Sequence, residues 1–328
     1  MKASQIKKAL DTCIESKRPA FIWGPPGVGK SQVIRQVAEE RGAQFKDVRA
    51  LLLDPVDLRG LPYINGDGRS HWATPEFLPK DGNGIILWDE LNAAPSLVQA
   101  SLYQLILDNK CGEYSMPDTW YQVAAGNRET DRAVTSRMPS ALANRFVHLN
   151  FEVDLDEWVS WALASGVHTM VISFLRFRPG LLHSFDPARN TEKAFPTPRS
   201  WEFVSNILTN RPSPEIEYEL FQGTVGEGAA AEFVGFLKIA RELPNPDVIL
   251  MNPDAAPVPE DPAALYAICG ALSHRASDQT IDRLIKYANR LPDEFSVLMV
   301  RDCVKNVPEV ASSRAFIEWA SKHKEVLI

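Results

Sequence analysis

The chain has 328 residues, 45% of them hydrophobic and 23% charged. That balance excludes wholesale disorder and a fibrous repeat, and the length suits about two domains. Thirty-five Lys and Arg stand against 42 Asp and Glu, a net charge of -7, so general attraction to nucleic acid or anionic membrane is not expected.

The opening stretch, MKASQIKKALDTCIESKR, sets charged and apolar residues at helical spacing and lacks the apolar core of a signal peptide. Pro19–Trp23 (PAFIW) predicts a buried strand, followed by a glycine loop and a helix over SQVIRQVAEERG. Ala43–Arg49 and Gly84–Glu90 predict the second and third strands. The third leads into a helix over LVQASLYQLILDNK, which Asn92 or Ser96 could cap. Trp120–Asn127 and Arg145–Phe151 predict the fourth and fifth. Strands alternating with helices imply an α/β fold, a five-stranded parallel sheet covered on both faces. Ligands of such sheets bind at the carboxyl ends of the strands.

After Phe151 the patterns become helical: DLDEWVSWALASG, VHTMVISFLRF, PRSWEFVSNILTN, EIEYELFQG and GAAAEFVGFLKIAREL. Leu243–Pro262 carries too many prolines for a regular element and reads as a linker or wrapped loop. Three or four further helices close the chain. Cys13, Cys111, Cys269 and Cys303 form no CxxC pair, which predicts reduced, buried thiols and a cytoplasmic setting. No apolar run approaches the ~20 residues of a bilayer span. The six histidines show no paired spacing, so no metal centre is expected of them.

Gly24–Ser31, GPPGVGKS, fits G-x-x-x-x-G-K-[ST], a phosphate-binding loop between a strand and a helix. Gly24, Gly27 and Gly29 let backbone N–H groups turn inward where a Cβ would obstruct them. The following helix adds its positive end. Lys30 is expected to reach the β- and γ-phosphates, and Ser31 to ligate Mg²⁺. Nucleotide contacts are expected along the whole loop: Gly24, Pro25, Pro26, Gly27, Val28, Gly29, Lys30, Ser31 and Gln32. Some 60 residues on, the strand IILW ends in Asp89 and Glu90. Asp89 is placed to hold Mg²⁺ and Glu90 to polarise a water for attack on the γ-phosphate. Asn109-Lys110 is followed by Cys111-Gly112, so the guanine-reading N-K-x-D motif is missing and ATP is the expected nucleotide.

From about residue 18 to about 210 the chain resembles the AAA+ ATPases, and within them the MoxR family. The resemblance is most specific in GIILWDELNAAPSLVQASLYQLILDNKCGEY and YQVAAGN. It implies an αβα core over 1–151 and a helical lid over 152–243; the Pro-rich linker and helical extension over 244–328 lie beyond the resemblance. It also implies a ring, usually of six subunits. Asn127 matches sensor 1, Arg145 the arginine finger that acts on a neighbour's nucleotide, and Arg199 sensor 2, all suited to charge developing on phosphate. Arg132 and Arg137 are rival fingers. Ala93, Asn144 and the TPRS run depart from the usual family residues and suggest a divergent branch.

The resemblance implies a remodelling chaperone that acts on a client protein with a von Willebrand factor A domain partner. Leu61–Trp72 and Cys111–Gln122 match its two hairpin insertions, whose Tyr63, Trp72, Tyr114 and Trp120 either face a pore or partner or pack on their own domain. A nucleic-acid motor or loader is the second reading. It is disfavoured because the first insertion balances Arg69 with Asp67 and the second carries Glu113 and Asp118 with no Lys or Arg. The third reading is an ATP-gated scaffold with little turnover, against which the set Asp89, Glu90, Asn127 and Arg145 argues.

Overall fold

The computed structural model describes residues 1–131, 138–185 and 193–323. They fall into two compact units, Met1–Asp154 and a second made of 155–185 with 193–323.

The first unit carries strands β1 (Ala20–Trp23), β2 (Gln44–Arg49), β3 (Leu61–Ile64), β4 (Ser70–Ala73), β5 (Gly84–Asp89), β6 (Lys110–Cys111), β7 (Tyr114–Ser115), β8 (Trp120–Gly126) and β9 (Val147–Asn150). Its helices are α1 (Ala3–Glu15), α2 (Lys30–Glu40), α3 (Pro55–Arg59), α4 (Ser96–Asp108) and α5 (Ser140–Ala143). Five strands form one parallel sheet in the order β2-β5-β8-β1-β9, as expected. Their unbroken apolar runs are explained by burial on both faces. On one face Ile22, Ile85, Leu87 and Val123 pack with Ile6 and Leu10 of α1 and Val33, Ile34 and Val37 of α2. On the other, Phe21, Ile86, Trp88 and Ala124 pack with Val98, Leu102 and Leu105 of α4. The polar Gln122 sits inside β8 because each of its groups is bonded. Its Oε1 accepts from Trp88 Nε1 at 3.0 Å, and its Nε2 donates to Leu105 O and Asn109 Oδ1 at 2.8 Å each.

Two local expectations are corrected, and one left open is resolved. No side chain caps α4: Pro95 is its N-cap, and the Asn92 amide is engaged elsewhere. The second hairpin is only the two-residue ladder of β6 and β7, turned at Gly112 and Glu113. Trp120 belongs to the central strand β8 and is buried, while the half-buried Tyr114 donates its hydroxyl to Pro79 O at 2.6 Å. Both therefore pack on their own domain. The first hairpin, β3 with β4, forms as expected, and Tyr63 and Trp72 are exposed on it.

The second unit is helical: α6 (Leu155–Ala164), α7 (Thr169–Phe177), α8 (Pro198–Thr209), α9 (Pro214–Val225), α10 (Glu227–Glu242), α11 (Pro246–Met251), α12 (Pro262–Ser273), α13 (Ile281–Ala288), α14 (Asp293–Asn306) and α15 (Arg314–Lys322). The Pro-rich stretch is not irregular throughout, since α11 begins on Pro246. A proline at the first helical position loses no bond, and Asn245 caps it by accepting from Asp247 N–H at 2.9 Å. α12 packs on α7, α10 and α14, so residues on both sides of position 243 share one body. The approach of α12 to α7 is close: a Cβ on Gly270 would lie 2.1 Å from Ser173 Oγ. All four cysteines are free and buried, and burial pushes each thiol up, Cys303 to about 12. Among the described residues no helix is long and apolar enough to cross a membrane.

Candidate functional site

Three adjacent strands, β5, β8 and β1, deliver the polar groups of the site from their carboxyl ends. β1 ends at Trp23, and Gly24–Gly29 lead directly into α2 at Lys30. Gly27 and Gly29 take φ of 75° and 98°, a left-handed backbone that costs a side-chain-bearing residue strain. Gly24 has a different reason to be glycine: a Cβ there would lie 3.3 Å from Phe151 O, a tight approach. Gly24 N–H in turn donates to Gly126 O at 3.3 Å, tying the loop to the end of β8.

The Lys30 ammonium donates to Gly24 O at 2.7 Å, Pro25 O at 3.0 Å and Asn127 Oδ1 at 2.9 Å. Ser31 Oγ donates to Asp89 Oδ2 at 3.0 Å, and the other oxygen of Asp89 accepts the Glu90 N–H at 3.0 Å. Lys30, Ser31, Asp89 and Asn127, expected to meet from their separate motifs, are thus within direct bonding distance of one another in pairs. Glu90, the residue after the strand, has φ 56° and turns the chain into a short 3-10 segment, Leu91–Ala93. That turn carries Asn92 inward, where it is buried and its Nδ2 donates to Asn127 O at 2.8 Å. Gly126 makes room for it, because a Cβ there would lie 2.0 Å from Asn92 Oδ1.

Sequence reasoning missed Asn92 as a site residue, reading it as a cap. It also missed Asp47 on β2, paired in register with Leu87 beside Asp89. Burial pushes the Asp47 carboxyl above the usual aspartate range and the Asp89 charge adds to this, while Arg35 and Arg49 pull it back. Only the parallel pairing of β2 with β5 brings these acids together, a contact with no local pattern in the chain. Val28 is buried and packs into the core under the loop, whereas Gln32 is exposed on α2.

Of the candidate arginines, Arg145 belongs to the first unit and Arg199 to the second. Arg145 is exposed in the turn before β9, at the amino end of the parallel sheet, opposite the end that carries the loop. There it lines a cleft of about 230 Å³ with Lys17, Arg18, Asp118, Trp120 and Tyr121. Arg199 is exposed in the first turn of α8, whose start is fixed by Thr197: its hydroxyl accepts from Ser200 N–H at 3.0 Å. Arg132 and Arg137 fall outside the described residues. Among the described residues no group of three or more His, Cys, Asp or Glu gathers as a metal site. A cation here would rest on Ser31 and Asp89, with phosphate and water completing its oxygen shell, the habit of Mg²⁺.

No family model matches the chain. Over 191 residues, 53% of its length, it is 29% identical to a midasin of Giardia intestinalis, and the match spans only 4% of that protein. Among solved structures it is similar to the RuvB Holliday junction branch migration motor of Thermotoga maritima, with a TM-score of 0.40 and 16% identity, covering 82% of this chain and 81% of that one. It is also similar to NtrX of Brucella abortus in complex with ADP, with a TM-score of 0.43 and 15% identity, covering 99% of this chain and 68% of that one.

Proposed function

We propose that the chain is a Mg²⁺-dependent ATPase of the AAA+ type, of MoxR-like character, that works as a ring and remodels or activates partner proteins. One observation carries this reading: Lys30, Ser31, Asp89 and Asn127 converge at the carboxyl ends of three neighbouring strands.

The loop and the start of α2 supply backbone N–H groups and a partial positive charge for phosphate oxygens. Lys30 exchanges its carbonyl partners for those oxygens. Ser31 and Asp89 would hold Mg²⁺, which when bound would neutralise charge on the phosphates. Glu90 accepts a proton from the attacking water, and Asn127 orients it. By the family resemblance Arg145 serves a site on another copy of the chain, and its place at the opposite sheet end from Lys30 supports that assignment. Its fixed, always-protonated donor then stabilises charge on the transferring phosphate. Arg199 takes the sensor 2 role that the family resemblance gives it. The motor role, six-membered ring, client protein and von Willebrand factor A domain partner follow from the family resemblance, as does a cytoplasmic site of action.

Glu90→Gln tests the chemistry. ATP binding, measured by equilibrium titration with a fluorescent analogue, is expected to persist while turnover falls about 10²- to 10⁴-fold, the span of general-base catalysis. An unchanged turnover removes Glu90 from the reaction, and absence of ATP binding by the unaltered protein ends the ATPase reading.

A further inference from the structure

The strand before the phosphate loop is joined to the turn that bears Arg145 by one side chain, His148 on β9. Trp23, the residue before Gly24, donates its indole N–H to His148 Nδ1 at 2.8 Å. The other ring nitrogen, Nε2, lies 2.8 Å from the carbonyl of Ala143. An indole N–H only donates and a carbonyl only accepts, so in this arrangement Nδ1 is the acceptor and Nε2 the donor. The rings run in a stack: Phe21 and Trp23 have centroids 4.1 Å apart, and Trp23 and His148 5.9 Å at an interplanar angle of 25°.

Each end of this link matters to the site. Ala143 closes α5, a four-residue helix too short to hold itself, whose terminal carbonyls need partners. Arg145 follows two residues later, its N–H on Leu142 O at 3.1 Å, and Phe146 N–H reaches the same Ala143 carbonyl at 3.2 Å. At the other end, the Gly24 carbonyl beside Trp23 is a partner of Lys30. Contacts therefore run unbroken from Lys30 through Gly24, Trp23 and His148 to the Arg145 turn.

We propose that His148 is a positioning residue that ties the phosphate loop, through Trp23 and the Ala143 carbonyl, to the turn bearing Arg145. Its consequence for turnover rests on the ATPase reading above and on Arg145 serving a neighbouring copy. The nucleotide held by one subunit then sets how that subunit presents its arginine to the next. Adjacency alone is no evidence of coupling, so the test must measure coupling itself.

The first arm needs no activity. Amide hydrogen exchange over residues 140–147 is followed in the full chain. Trp23→Phe, which keeps a ring and loses only the N–H, is expected to speed exchange there about tenfold, the scale of one lost restraining bond. His148→Gln, which keeps an N–H within reach of Ala143 O, is expected to stay within about twofold for residues 143–147. The second arm is kinetic. His148→Ala is expected to lower kcat about tenfold at an unchanged KM for ATP, and to cost nothing more in an Arg145→Ala background. Unmoved exchange in Trp23→Phe, or an equal loss in both backgrounds, overturns the link. A wild-type chain that hydrolyses no ATP sinks the ATPase reading instead, and the exchange arm still decides whether His148 couples loop and turn.

Discussion

At the carboxyl ends of β1, β5 and β8 the charged groups are already engaged: Lys30 with three oxygens, Ser31 with Asp89, and Asn92 with the backbone of Asn127. At the amino ends of β1 and β9, Lys17, Arg18 and Arg145 surround one cleft and make no ion pair among the described residues. Both ends belong to the same sheet, yet one is organised around its own groups, while at the other the three bases outnumber the single acid Asp118. The difference teaches that a mutually bonded cluster marks where a ligand's groups can be exchanged in. A rim with more bases than acids, by contrast, keeps a surplus of positive charge for an acidic partner.

The largest expected effect breaks or sustains that contrast directly. Lys30→Ala and Arg145→Ala are each expected to lower turnover about 10³-fold or more. Mixed in equal amounts, they are expected to recover activity at about a quarter of sites, the chance that an intact loop meets an intact arginine across a cyclic interface. A mixture as inactive as its parts would place both residues in one subunit's site and undo the division of labour. Next in size is a stability effect confined to the engaged end. Gly126→Ala drives a methyl against Asn92 and the Phe21 ring, and is expected to cost about 1–3 kcal/mol by urea denaturation. Arg18→Ala at the opposite rim is expected to stay within about 0.5 kcal/mol. Equal losses would mean that the rim too is structural.

The smallest effect concerns Asp47. Its carboxyl is raised in the folded chain, so the folded state binds a proton more readily than the unfolded one. The ionised group therefore opposes folding, and that penalty grows as pH rises from the ordinary aspartate range through the raised folded value. Asp47→Asn is expected to raise Tm at neutral pH and to leave it unchanged in acid, below the ordinary aspartate range. A gain independent of pH would assign the effect to packing rather than to charge.

Much of this was legible in the chain before any coordinates. The loop Gly24–Ser31 and the strand ending at Asp89 are local patterns in which residue type and spacing dictate backbone conformation. The two long-range partners of the site were not. Asn92 looks like a cap until the left-handed Glu90 turns it under β8. His148 looks like any edge-strand residue until β9 lies beside β1. Trp120 fell in both a predicted strand and a predicted hairpin, and its indole N–H on Asp81 O is what fixes it in the sheet. In each case the deciding bond spans tens of residues or more, a distance that periodicity cannot register.

The packing of α12 against α7 bears on how such a chain can be shortened. Thr169 and Ser173 on one side of position 243 lie against Gly270 on the other, and Phe177 lies against Tyr266. A gene product ending near the prolines would strip α7 of that partner and open this flank to water. The last quarter of the polypeptide thus behaves as a keystone of the helical half, and fragments meant for expression should retain it.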